Sequence, residues 1–202
     1  MSTAEAVDVA QLAALVQRRA PSAGGTRVVA VDGPSGSGKT SLAAELAPLL
    51  DDAPVVHLDD LYPGWDGLDA VVPRLLAWVL EPLARGEAAG YHRYDWAAGG
   101  YAEWHGVPAS PALVVEGCGS GARACAALLS LLVWVDAPSD LRFARGMARD
   151  GGAYGPYWQR WARQEAAHFA AEGTRERADV RLDGELPGHW RAAHPTNRDS
   201  RS

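Results

Sequence analysis

The 202-residue chain has little cysteine, no long apolar run and no surplus of positive charge, and each shortage removes a class of function. Its two cysteines, Cys118 and Cys125, are too few for a disulfide scaffold and lack metal-ligand spacing with any nearby histidine pair. A reduced cytoplasmic setting suits them. The longest apolar stretch, 126–135 with Ser130 inside it, is about half the length that crosses a bilayer. The opening residues Met1-Ser2-Thr3-Ala4-Glu5 show no basic segment followed by an apolar one, as a secretory leader requires. The formal charge, 19 − 25 = −6, argues against general binding to a phosphate backbone and leaves room for one nucleotide in a local pocket. No internal repeat or long low-complexity tract is present. These absences predict a soluble, cytoplasmic, single-domain protein with neither a membrane nor a nucleic acid as partner.

What the sequence does contain alternates. Short, nearly continuous apolar runs at 27–32, 55–59, 112–116, 131–136 and 178–182 read as strands covered on both faces. Helical periodicity separates them at 39–50, 68–85, 121–129, 139–150 and 156–173. Strand–helix alternation predicts an α/β fold around a mostly parallel five-stranded sheet. The first twenty residues read as an amphipathic helix, with Val9, Leu12, Ala13, Leu15 and Val16 on one stripe that leaves room for contacts in a homo-oligomer. Segment 86–110 is aromatic but aperiodic, and such long connections are usually functional or disordered. Glycine-rich 151–155 breaks the chain before Pro156 and has the composition of a hinge for a water-excluding lid. From Gly184 onward no pattern is visible, which predicts a loose tail.

The strongest signal is an apolar strand, then Gly33-Pro34-Ser35-Gly36-Ser37-Gly38-Lys39-Thr40, then an Ala/Leu-rich helix. This G-x-x-x-x-G-K-T pattern in that context is a P-loop, whose backbone N–H groups form a nest for phosphate oxygens at a helix N-terminus. Lys39 would reach the β- and γ-phosphates, Thr40 would ligate Mg²⁺, and Ser41 follows beside the phosphates. The fold class is therefore a three-layer α/β/α P-loop NTPase fold with a short lid. At strand ends, where doubly wound sheets bind ligands, stand Asp59 and Asp60 and, separately, Glu116. Asp59 could deprotonate an attacking hydroxyl or join a magnesium shell, as could Glu116 in the latter role. Their alternatives are a turn cap and a salt bridge to arginine. Arg142, Arg145 and Arg149 fall on one helix face, suited to developing phosphate charge, the alternative being a solvated basic face. Trp158, Trp161, Glu165, His168 and Phe169 read as packing. Tyr62, Trp65, Tyr91, Tyr94, Trp96, Tyr101 and Trp104 could stack on a planar ring or equally fill the core of the 86–110 insertion.

Together these pieces resemble the uridine kinase and phosphoribulokinase group of P-loop kinases, which also includes nicotinamide riboside kinases and bacterial pantothenate kinases. The resemblance rests on Gly33 to Thr40, His57-Leu58-Asp59-Asp60-Leu61-Tyr62, Trp65-Asp66-Gly67-Leu68-Asp69-Ala70, Tyr94-Asp95-Trp96, Val115-Glu116-Gly117, the run 136–150, and Asp183-Gly184 after a last strand. It implies Mg²⁺-dependent transfer from ATP, or GTP, to a hydroxyl of a small metabolite, a nucleoside or riboside first. Asp59 would be the base, and Thr40, Asp59 and Glu116 would surround the metal. Lys39, Arg142 and Arg145 would act on the transferring phosphate, with Arg149 at the lid against the nucleotide. Asp60, Tyr62, Asp66 and Tyr94 would face the acceptor. Residues 1–184 would form one kinase domain with 86–110 on the acceptor side, a lid hinge at 151–157 and a loose tail over 185–202. Where uridine kinases place a base-contacting histidine after their Tyr-Asp-Phe segment, Ala97-Ala98-Gly99-Gly100 stands here, which points away from uridine itself. Other readings are a pantothenate-like alcohol as acceptor, a nucleotide-dependent switch, or an inactive binding module. The guanine-reading Asn-Lys-x-Asp segment of familiar GTPases is absent.

Overall fold

The central strand β2 (Arg27–Asp32) is buried from Val28 to Asp32, because sheet neighbours flank it and helices cover both its faces. The structure is a computed structural model and describes residues 6–150, 155–186 and 189–193. Strand β2 pairs in parallel with β6 (Ala112–Glu116) on one side and β7 (Leu131–Asp136) on the other. Beyond β6 lies β3 (Val55–His57), and beyond β7 lies β8 (Val180–Leu186), both parallel. The expected parallel core of five strands is present. Among the described residues, however, the sheet has seven strands, because β9 (His189–Ala192) and the two-residue β1 (Ala6–Val7) extend it antiparallel past β8.

Helices α1 (Val9–Arg18) and α2 (Lys39–Leu46) cover one face, burying Leu12, Ala13, Val16, Leu42 and Leu46 against Val29, Val31 and Val133. The stripe on α1 is thus used within the chain. Asp8 caps that helix, its Oδ1 accepting from the Ala10 N–H at 2.9 Å. The opposite face is covered by α3 (Leu68–Leu75) and α6 (Trp158–Glu172), with Leu68, Val71, Leu75 and Trp161 packed on Val28, Leu113 and Val115. This is the three-layer α/β/α arrangement. Among the described residues no helix is long and apolar enough to cross a membrane.

Several boundaries differ from the sequence reading. The helix expected over 39–50 yields at Ala47 to a 3-10 turn (Ala47–Leu50), where Pro48 cannot donate a backbone hydrogen bond. The helix expected over 68–85 is α3, a π turn (Leu76–Leu80) and α4 (Glu81–Ala84) in succession. The strand expected over 55–59 stops at His57, and Leu58–Asp60 form a 3-10 turn. Segment 121–129 supplies only a 3-10 run, Arg123–Leu128. Helix α6 ends as expected, at Gly173 with φ +58°, a conformation that glycine adopts at no steric cost.

The two largest corrections concern regions read as irregular. Segment 86–110 is an antiparallel hairpin, β4 (Ala89–Asp95) and β5 (Gly100–Val107). The tail beyond Gly184 is not loose as far as it is described. Strand β9 places Trp190 in the core at 2% exposure, with its Nε1 donating to Glu45 Oε2 of α2 at 2.8 Å. Of the expected lid, 151–154 lie outside the described residues, and Gly155–Tyr157 form a 3-10 turn between α5 (Ser139–Asp150) and α6.

Candidate active site

The loop between β2 and α2 opens at the carboxyl edge of the sheet, where it bends back on itself through left-handed glycines. Gly33 (φ +143°) lies so close to β7 that a Cβ would sit 2.0 Å from the Val135 carbonyl oxygen. Gly36 (φ +76°) meets α5 in the same way, a Cβ there lying 2.3 Å from the Arg142 carbonyl oxygen. Asp32 ties the loop to the turn after β6. Fully buried, it accepts from the N–H groups of Gly33 (2.7 Å), Gly119 (3.0 Å) and Gly121 (2.9 Å). Burial raises its pKa above the ordinary carboxylate value even against those donors and Lys39.

Lys39 is the only lysine in the sequence. Its Nζ donates to the Pro34 carbonyl at 2.9 Å and lies 3.8 Å from Cys118 Sγ. Burial works against its charge, but the carboxylates of Glu116, Glu165 and Asp32 around it raise the pKa, so the ammonium persists. Burial also pushes the Cys118 thiol well up, which keeps the sulfur protonated.

Three carboxylates gather here, Glu116 at the end of β6 and Asp59 and Asp60 in the turn after β3. Glu116, 4% exposed, accepts at Oε1 from Thr40 Oγ1 (3.1 Å) and from His57 Nδ1 (2.7 Å). Burial pushes its pKa up, but the His57 hydrogen bond, Lys39 and Thr40 together hold it below the ordinary value. His57 is raised above its ordinary 6.5 chiefly by that same bond, with Asp60 and Asp59 adding to it against burial. The sequence reading did not single out His57, and it takes the place of the arginine considered as Glu116's partner. Asp59 sits at the mouth with Arg149 Nη1 3.7 Å from its Oδ2. Asp60 accepts from Tyr91 Oη at 3.4 Å, a phenol pushed up to about 12 first by burial and then by Asp60.

Two cavities meet at these groups. One, of about 430 Å³, follows the loop and is lined by Gly36, Lys39, Ser41, Cys118, Arg145 and their neighbours. The other, of about 610 Å³, has a wall of Tyr62, Trp65, Trp96 and Trp161. Ser35, Thr40, Asp59, Glu116 and Arg149 line both. Five oxygen-bearing or cationic groups therefore stand where the two spaces join. Among the described residues no cluster of three His, Cys, Asp or Glu makes a self-sufficient metal cage. The hydroxyl of Thr40 with the carboxylates of Asp59 and Glu116 does match the hard-oxygen set of Mg²⁺, which keeps waters and shares itself with phosphates.

The three arginines diverge in use. Arg149 lines both cavities and Arg145 the one along the loop, its guanidinium donating to the carbonyls of Gly36 (3.2 Å), Gly184 (2.8 Å) and Glu185 (2.7 Å). Arg142 instead points behind the loop, donating to Ala137 O (3.0 Å) and Ser35 O (3.4 Å), and lines a separate hollow with Pro34 and Phe143. It braces the loop instead of lining the cavity that follows it.

On the acceptor side the expected residues separate as well. Asp60 lines the aromatic cavity. Tyr62 forms part of its wall but is 2% exposed, its hydroxyl donating to Cys118 O at 2.8 Å. Asp66 lies outside the cavity lining and is bonded by Arg160. Tyr94 stands behind Trp96, with ring centroids 5.4 Å apart. Trp65 and Trp96, two of the aromatics considered for stacking, do reach the cavity. Trp161 and Glu165, expected only to pack, also reach the site, Trp161 in the wall and Glu165 against the phosphate loop. Both lie on α6, far along the chain, and helical spacing alone gives no signal for that role. His168 is buried with Nδ1 3.5 Å from Asp69, as its structural reading expected.

The chain matches no protein-family model and no curated protein. Solved structures share its fold. One from Bacillus stearothermophilus, described as a possible uridine kinase, superposes with a TM-score of 0.59 at 21% identity, covering 86% of this chain and 96% of its own. Another, from Silicibacter sp. TM1040 and provisionally named a fructose transport system kinase, gives 0.53 at 21% identity, covering 90% and 100%. The chain thus shares the α/β/α fold of these two structures.

Proposed function

We propose that this protein transfers a phosphoryl group from ATP to a hydroxyl of a small metabolite, a nucleoside or riboside being the first candidate. The observation that carries the reading is the shared lining of the two cavities. A phosphate nest and an aromatic acceptor space meet at Asp59, Thr40, Glu116 and Arg149. A nucleotide-dependent switch has no need of the second space.

Lys39 and the backbone of the loop would hold the β- and γ-phosphates, and Arg145 and Arg149 would approach the triphosphate from α5. Thr40, Asp59 and Glu116 would hold Mg²⁺, which when bound neutralises phosphate charge. Asp59, reaching both cavities, would orient the acceptor hydroxyl and take its proton. The tryptophan wall supports a ring-bearing acceptor, because indole faces and edges bury flat apolar surface and pair well with rings. It would also keep water from competing for the phosphoryl group.

The test is an ATP-consumption assay with Mg²⁺ against nucleosides, ribosides, vitamin alcohols and sugars, with products identified by mass. One acceptor gaining a single phosphoryl group is the expected result. ATP loss with no phosphorylated acceptor, in a panel that includes all four classes, would favour the switch.

A further inference from the structure

Glu165 is the most heavily engaged buried carboxylate outside the groups assigned above. It lies on α6 at 3% exposure. Its Oε1 accepts from the Ser35 backbone N–H at 2.7 Å and from Trp161 Nε1 at 2.8 Å, and Cys118 Sγ stands 3.1 Å away. Its other oxygen is 4.0 Å from Arg142 Nη1, and that same guanidinium nitrogen donates to Ser35 O at 3.4 Å. The Ser35 residue is therefore held by α6 at its N–H and by α5 at its carbonyl. Burying a carboxylate is unfavourable unless donors surround it, and an apolar side chain would fill the same space without that cost. The donors it has gathered belong to two different substrate sites. Ser35 forms the phosphate loop, and Trp161 forms the acceptor wall.

We propose that Glu165 is a positioning residue that fixes the phosphate loop from the acceptor wall, so that one oxygen atom joins Trp161 to the Ser35 N–H. The geometry of the nest then depends on the indole of Trp161, although that ring lines the acceptor cavity and not the phosphate cavity. The inference deepens the nucleotide part of the proposed function. It needs no acceptor, so failure to find a phosphorylated product leaves its test intact.

Charge alone makes the opposite forecast. An acidic group beside a phosphate site repels the ligand, and its neutralisation would tighten binding. Titration of MgATP by calorimetry into the full chain separates the two. Trp161→Phe keeps the charge and most of the packing and removes one donor to Glu165. It should weaken MgATP binding by about ten-fold, as should Glu165→Ala, given the usual effect of removing a charge-assisted hydrogen bond. Glu165→Gln retains an acceptor oxygen for Ser35 and Trp161 and should stay within about three-fold of wild type. In the double variant the Trp161→Phe loss should vanish into the Glu165→Ala loss, since both act through one atom. If Glu165→Ala fails to fold, Trp161→Phe and Glu165→Gln decide alone. Wild-type affinity in Trp161→Phe, tighter binding in Glu165→Gln, or additive losses in the double variant would each overturn the proposal.

Discussion

Around the 33–40 loop the groups that set the geometry belong largely to the backbone, whereas the aromatic cavity is walled by side chains drawn from separate segments. Gly33 and Gly36 touch the carbonyls of Val135 and Arg142, and Asp32 gathers three N–H groups. Such a loop is fixed by glycines at set intervals and is readable as a motif. The aromatic cavity is closed by Trp65 after β3, Trp96 at the tip of the β4–β5 hairpin, Trp161 on α6 and Arg149 on α5. Nothing in the local spacing of those residues announces that they meet. The loop itself is written in consecutive residues, whereas the aromatic wall exists only once the sheet and its helices have assembled.

The comparison breaks most visibly at Lys39. Its ammonium is the chain's only lysine charge, and it is held in the loop by Pro34 O. Lys39→Ala should lower turnover by at least about 10²-fold, as loss of a preorganised cation in a water-poor site does. Steady-state kinetics on the acceptor found in the panel would check it, and turnover within a few-fold of wild type would remove Lys39 from the reaction. Next comes Asp59, where the two halves join. Asp59→Asn should reduce transfer by about 10²-fold or more while MgATP affinity changes only a few-fold, because the amide keeps the shape and loses the base. Equal loss of binding and transfer would assign Asp59 to the nucleotide instead.

A smaller effect sharpens the acceptor half. Trp96 Nε1 donates to the Asp59 carbonyl at 2.9 Å, and Tyr101 Oη to the Leu61 carbonyl at 2.8 Å, so the hairpin clamps the turn that bears Asp59. Trp96→Phe removes the first clamp and should lower kcat by about ten-fold with MgATP binding unchanged. A rise in acceptor KM with kcat intact would make Trp96 only a wall. The hairpin also shows why this half was hidden from the sequence. Segment 86–110 has aromatics without clean alternation because Tyr91 and Tyr101 point toward the 58–62 turn while Trp104 stays 51% exposed. In the same way the strand β9 escaped notice. Its four residues carry one large apolar group, Trp190, and it becomes a strand only by pairing with β8 and β1 while Trp190 packs against α2 and bonds Glu45. The parallel strands β2, β6 and β7, by contrast, are buried on both faces and advertise themselves as unbroken apolar runs. Strand-end carboxylates were legible for the same topological reason, while His57, Trp161 and Glu165 acquire their roles only from partners distant in the chain.

The smallest effect concerns His57, which lines the aromatic cavity and holds Glu116 by its Nδ1. Its pKa in the folded chain is raised above 6.5 chiefly by the bond to Glu116. A group raised on folding adds stability that is complete below its unfolded value, near 6.5, and disappears as pH climbs through the folded one. The Glu116 carboxylate, held below its ordinary value, adds stability above about pH 4.5 and loses it as pH falls. The pair therefore favours the folded chain most strongly between those limits, and metal-free, nucleotide-free protein should melt at a lower temperature as pH rises above neutrality. His57→Gln should flatten that alkaline decline while leaving the acid limb, which belongs to Glu116 and its other partners, in place. With the His57 side chain 41% exposed, solvent screens the pair and the change in Tm should be a few degrees at most. An unaltered alkaline slope in His57→Gln would mean that the bond orients Glu116 without contributing measurably to stability.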